Sequence, residues 1–182
     1  PGNMRAGFEL IEQQLLAGPW VLGNIYSVCD PYLFTLARWL EGDGVDIAAF
    51  RPQPREDTGD PRPIWLYAGR VAVEKNIEAF LGLDLPGSKW VVGGGPQLKS
   101  LQRRYANARF FGSVDADQLS YRYAQADCFV FPSVTDTFGL VMVEALASGI
   151  PVAGYPVPGP LDVVTDSRVG ALDGDLRTAC LA

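Results

Sequence analysis

From residue 62 onward, short apolar runs alternate with segments of helical spacing. The runs at 64–68, 89–92, 108–111, 128–131 and 150–153 read as strands. The one at 128–131, rich in aromatic and branched residues, has the makeup of a buried parallel strand. Helices are predicted over 76–81, 97–105, 115–125 with Asp115 as cap, and 140–148, where Gly149 and Pro151 supply the stop. The chain ends inside another predicted helix. Strands alternating with helices predict an α/β fold: a doubly wound, Rossmann-like parallel sheet with right-handed crossovers. Ligands of such sheets sit at the carboxyl ends of the strands, and every loop discussed below lies at that edge.

The first 50 residues follow a different pattern. Phe8, Ile11, Leu15 and Leu16 form a helical stripe over 5–16, stopped by Gly18-Pro19. Ser27-Val28-Cys29-Asp30 reads as a capping box. The helix it starts, 31–40, is apolar almost all round and calls for full burial. Residues 51–63 carry Pro52, Pro54, Pro61 and Pro63 among alternating charges and read as an extended linker. The expected organisation is a helical appendage (1–50), a linker (51–61) and a sheet domain (62–182).

Composition narrows the choices. A chain of 182 residues has room for one domain and an appendage. Its net charge of −6 disfavours a nucleic-acid partner held through phosphates. No apolar run has the roughly 20 residues of a membrane span. Cys29, Cys128 and Cys180 are far apart and without metal spacing, which points to reduced thiols and a cytoplasmic setting, with the inner face of the membrane as the peripheral alternative. There is no histidine, which excludes a histidine base and any histidine-ligated metal.

The chemistry concentrates at 127–149. A strand, the polar loop Ser133-Val134-Thr135-Asp136-Thr137 and a helix make an anion site. The free amides near Phe138, Gly139 and Leu140 point into the loop, and the helix dipole favours a phosphate there. Asp136 lies in the loop and Glu144 more than a turn into an otherwise apolar helix. A lone carboxylate there needs a partner such as ligand hydroxyls. Otherwise Glu144 is simply the one polar residue facing water. Gly69-Arg70 and Lys75 follow the first strand and can clamp a pyrophosphate, arginine as a fork and lysine as a point charge. Taken alone, they read equally as solvated charges, with Glu74 neutralising Lys75. Gly93-Gly94-Gly95-Pro96 lets backbone approach a ligand but lacks the spacing of a dinucleotide fingerprint.

The run Phe138-Gly139-Leu140-Val141 through Glu144-Ala145 to Gly149, with an acid eight residues before the glutamate, resembles the donor-site motif of retaining GT-B glycosyltransferases of family 4. That family usually has glutamate where this chain has Asp136, one methylene shorter. The resemblance implies that Asp136 and Glu144 contact the donor sugar and the nucleotide ribose. It implies that Arg70 and Lys75 bind the donor diphosphate, and it makes these four the catalytic candidates. Gly69, Gly94, Gly95, Gly112, Ser113, Val114, Thr137, Phe138, Gly139 and Leu140 become nucleotide-sugar contacts, with Gly112 to Val114 in the loop that meets the base. The tail at 155–166 resembles a subgroup that often transfers mannose or a related hexose.

The expected ligand is therefore a nucleotide-diphosphate hexose, GDP-mannose-like or a UDP-sugar. No cofactor or metal is expected, and configuration is retained. The acceptor, a glycan or lipid, would sit on an N-terminal domain absent from this chain. The closing C-terminal helices are expected to be missing too. The chain alone would then bind nucleotide weakly and turn over little. A non-catalytic nucleotide-binding module is the alternative. Residues 1–50 resemble the C-terminal helical domain of glutathione S-transferases through the Ser27–Asp30 box and the helix after it. That resemblance covers only part of such an enzyme and implies, at most, a glutathione-binding fragment. It meets the glycosyltransferase pattern at 44–52, as a natural fusion or a misjoined reading frame.

Overall fold

The computed structural model describes residues 46, 48–136 and 139–182. The helices expected before residue 45 lie outside the described residues, as do Thr137 and Phe138. Six strands form one parallel sheet: β1 (Ile64–Ala68), β2 (Ser88–Val92), β3 (Arg109–Gly112), β4 (Cys128–Phe131), β5 (Val152–Gly154) and β6 (Gly170–Leu172). Their order is β3-β2-β1-β4-β5-β6. The helices are α1 (Ile77–Leu81), α2 (Leu98–Arg104), α3 (Ala116–Gln125), α4 (Leu140–Ala147), α5 (Pro160–Val163) and α6 (Leu176–Leu181). A 3-10 turn, Val73–Lys75, precedes α1.

The sheet is apolar on both faces because each strand feeds two cores. In β1, Ile64, Leu66 and Ala68 join a layer with Phe129, Tyr123 of α3, and Met142 and Leu146 of α4. Trp65 and Tyr67 point the other way, to Ile77 and Phe80 of α1, Leu101 of α2 and Leu176 of α6. The period-2 geometry of a strand makes this division. Each fully buried Ile, Leu or Phe in these layers contributes roughly 1.5–3 kcal/mol. Sequential winding runs outward from β1 through β2 to β3, then restarts with β4 on the other side of β1. β1 and β4 therefore flank the switch point, where a crevice opens at the carboxyl ends of the strands.

Local signals held where one residue governs the geometry. Asp115 caps α3 by accepting from the Gln118 amide at 2.8 Å. β5 starts later than the apolar run suggests. Pro151 has no amide, and the Ile150 amide turns back to the Ala145 carbonyl at 3.1 Å. β6 and α5 are absent from the sequence reading. β6 has only three residues. α5 is announced by Gly159-Pro160, a glycine at positive φ followed by proline at the first helical position.

Residues 51–63 form neither helix nor strand, yet they are tied down along α3. Gln53 Nε2 donates to Ser120 Oγ at 2.9 Å, Gln125 Nε2 to the Pro54 carbonyl at 3.0 Å, and the Glu56 amide to Gln125 Oε1 at 2.6 Å. Asp127 gathers Arg55 and Arg62 at 2.6 and 2.8 Å. Among the described residues, no helix is long and apolar enough to cross a membrane.

Candidate functional site

The loops after β1 and β4 face each other across the switch point and enclose a cavity of about 420 Å³. Its walls include Gly69, Arg70 and Lys75 from the first loop, Ser133 and Asp136 from the second, and Gly139 and Leu140 at the start of α4. The structure thus brings together Arg70, Lys75 and Asp136, which lie up to 66 positions apart in the chain.

Three cross-links hold the two loops in register. Lys75 Nζ donates to Asp136. Asn76 Nδ2 donates to the Pro132 carbonyl at 3.0 Å, and Thr135 Oγ1 to the Glu74 carbonyl at 3.3 Å. Asn76 can serve because it sits in the left-handed region at φ 51°, closing the 3-10 turn. It therefore precedes α1 instead of belonging to it. Tyr67 forms another wall and donates to the Arg70 carbonyl at 2.8 Å, which fixes the bend that presents Arg70. Burial, helped by the nearby Asp136 and Glu74 carboxylates, pushes the Tyr67 phenol above its ordinary pKa, so it stays a donor.

The charge pairing differs from the sequence expectation. Glu74 does not neutralise Lys75; it meets Arg70 four residues back, at 3.5 Å, with both side chains more than half exposed. Lys75 pairs with Asp136 instead, and each of those side chains is about a quarter exposed. Water screens the first pair, which is therefore weak. The second lies in the cavity wall. Its lysine is a cation of the kind that holds a diphosphate, here resting on a carboxylate.

Glu144 does not line the cavity. Its Oε2 lies 3.0 Å from the hydroxyl of Tyr123, a fully buried residue of α3 whose oxygen is also 3.0 Å from the Val141 carbonyl. The partner that a carboxylate in this apolar helix requires is thus a tyrosine hydroxyl within the protein. Nothing in the spacing of Tyr123 and Glu144 announces the pairing, which depends on α3 packing against α4.

Burial raises the Glu144 pKa above its ordinary value, and the hydrogen bond from Tyr123 partly offsets this. A carboxyl raised in this way holds its proton more tightly in the folded state. Its contribution to stability is greatest below the unfolded pKa and falls as pH rises towards the folded pKa. Glu144→Gln is therefore expected to stabilise the chain at pH 7. The gain should disappear near pH 4, close to the unfolded carboxylate pKa. Equilibrium denaturation at both pH values checks this.

At the Gly93 and Gly95 positions, what approaches the backbone is another loop. A Cβ on Gly93 would stand 1.8 Å from the Gly69 carbonyl oxygen, and one on Gly95 2.3 Å from that of Val71. Backbone bonds from Gly69 to Val92, Val71 to Gly94 and Gly93 to Gly112 stitch the ends of β1, β2 and β3 together. Gly94, Gly95, Gly112, Ser113 and Val114 lie at this same edge but outside the 420 Å³ cavity. Gly112 has open space around it, and Ser113 Oγ lies against Gly94. Cys128 and Cys180 are free and buried, and burial pushes the Cys180 thiol up to about 12.

The fold is a doubly wound parallel α/β sheet with a cation-bearing cleft at its switch point, where sheets of this class take their ligands. The family of glycosyl transferases group 1 matches residues 50–173, more than half of the chain, and the chain belongs to that family. A sulfoquinovosyl transferase of Arabidopsis thaliana is 34% identical over 140 residues, covering 70% of this chain and 28% of that protein. A GDP-mannose-dependent alpha-mannosyltransferase of Mycobacterium tuberculosis is 36% identical over 143 residues, 74% of this chain and 37% of its own length. Among solved structures, a sucrose-phosphate synthase from Thermosynechococcus elongatus aligns with a TM-score of 0.61 at 26% identity, over 86% of this chain and 47% of its own. The chain therefore spans about a third of the length of these two curated relatives. The matched region starts at residue 50, so the glutathione-transferase resemblance of the preceding residues falls outside it.

Proposed function

We propose that this chain is the donor half of a retaining glycosyl transfer and binds a nucleotide-diphosphate hexose in the cleft between β1 and β4. The observation that supports this most is the convergence of Arg70, Lys75 and Asp136 on one cavity beside the amino end of α4. Lys75 and Arg70 offset the charge that develops on the diphosphate as it leaves the sugar. The first amides of α4 have no acceptors within the helix and add partial positive charge at the same place. Asp136, released from Lys75, accepts from sugar hydroxyls. Glu144 keeps Tyr123 on one carboxylate oxygen and accepts from the ribose on the other, where the nucleotide extends past the cavity wall.

The donor is GDP-mannose-like or a UDP-sugar. The mannosyltransferase among the relatives favours the first. A nucleophilic acceptor, glycan or lipid, is bound on an N-terminal domain of the kind the resemblance implies. The 182 residues alone hold donor without rapid turnover.

Titration calorimetry of UDP, GDP and their hexose conjugates against the chain tests the reading. One base is expected to bind with saturable heat, more tightly as the sugar conjugate than as the bare diphosphate. Absence of binding by all four ligands at millimolar concentration overturns it.

A further inference from the structure

Ser133 follows the strand-ending proline after β4 and is 1% exposed. Its Oγ is buried and has no hydrogen-bond partner among the described residues. The residues after it, Val134 and Thr135, are exposed, so the chain turns outward immediately beyond. A buried hydroxyl without a partner is unusual in a folded protein and calls for a cause. Among the described residues, three other buried side-chain polar atoms share this condition: Trp90 Nε1, Arg122 Nε and Ser148 Oγ. Of the four, only Ser133 belongs to the wall of the cleft, in company with Lys75 and Asp136.

A serine hydroxyl rotates among three staggered positions about one bond. A turn about that bond is what brings the buried Oγ to the cavity, where, as both donor and acceptor, it can meet a ligand oxygen. Among the described residues, none supplies such an oxygen at this point.

We infer that Ser133 is a ligand-contact residue of the cleft, its hydroxyl donating to an oxygen of the bound diphosphate sugar. This rests on the donor-site reading above. Ser133 adds a neutral donor to a wall where Lys75 supplies the charge. The bond forms only when ligand is present, so the hydroxyl contributes to binding and not to the stability of the empty fold.

The test compares Ser133→Ala and Ser133→Cys with the unaltered chain, by thermal melting without ligand and by calorimetry with UDP, GDP and their hexose conjugates. Ser133→Ala is expected to melt at or above the unaltered temperature, because it removes an unpartnered polar group, and to bind about tenfold more weakly. Ser133→Cys, with a weak donor of similar shape, should fall between the two. Loss against bare diphosphate and conjugate alike places the contact on the diphosphate. Loss against the conjugate alone places it on the sugar. Unchanged affinity, or a lower melting temperature without ligand, overturns the inference and makes the hydroxyl structural. If the unaltered chain binds none of the four ligands, the donor-site reading itself fails. If that chain binds and Ser133→Ala binds equally well, only the role of Ser133 fails.

Discussion

Lys75→Ala is expected to weaken binding of the nucleotide-diphosphate sugar about 10- to 100-fold, read by calorimetry against the unaltered chain. A charge-assisted hydrogen bond contributes about 1.5–3 kcal/mol, and each 1.4 kcal/mol is a factor of ten. Lys75 is the cation for which this holds best, because its side chain is 26% exposed against 66% for Arg70. Salt and water screen Arg70 more strongly, so Arg70→Ala should cost less. The carboxylate partner of Lys75 adds a second arm to this experiment. Lys75 rests on Asp136, and a diphosphate must displace that carboxylate. Asp136→Asn should therefore leave bare UDP or GDP bound at least as tightly as before. The preference for the sugar conjugate should vanish, because the acceptor for sugar hydroxyls is lost. Binding within twofold of the unaltered chain after Lys75→Ala would place the diphosphate elsewhere.

Gly93→Ala is expected to lower unfolding stability by about 2–4 kcal/mol and to reduce ligand affinity as well, although Gly93 is not part of the cavity wall. Its φ of 131° is strained for any residue with a side chain. The added carbon would also lie 1.8 Å from the Gly69 carbonyl oxygen, so one of the two loops must move. Gly69 and Arg70 are the residues that would be displaced, and both belong to the cleft. Gly94→Ala supplies the contrast. There the added carbon meets only the Ser113 hydroxyl, which can rotate away, and the loss should stay below about 1 kcal/mol. Urea denaturation of the two variants separates the cases. Equal, small losses in both would mean that the glycines serve ligand access and not loop packing.

What could be read from the sequence divides along physical lines. β1, β2 and β4 announce themselves because buried parallel strands are continuous apolar runs. The shared position of Arg70, Lys75 and Asp136 was also legible, since a doubly wound order sends every strand-to-helix loop to one edge. Contacts between loops were not. Lys75 pairs with Asp136 and not with its neighbour Glu74, because β4 lies beside β1 and the loop it carries comes within reach. Gly93 and Gly95 lie against Gly69 and Val71 because β2 is the other neighbour of β1. Tyr123 reaches Glu144 only through helix packing. Ser133 looks like any polar loop residue until its burial is known. β6, three residues long and beginning at a glycine, offers too little pattern to be seen.

The adjacency of β1 and β4 has a thermodynamic consequence. Lys75 and Asp136 are separated by 61 positions and meet only once those two strands have paired. An unfolded or half-assembled chain has no cleft, so ligand binds the native state alone. By linkage, free ligand at 100 times its dissociation constant adds about 2.7 kcal/mol to unfolding stability. Because both loops hang from the centre of the sheet, that gain should spread as slower hydrogen exchange to the amides of β1 and β4, beyond the loops that line the cleft.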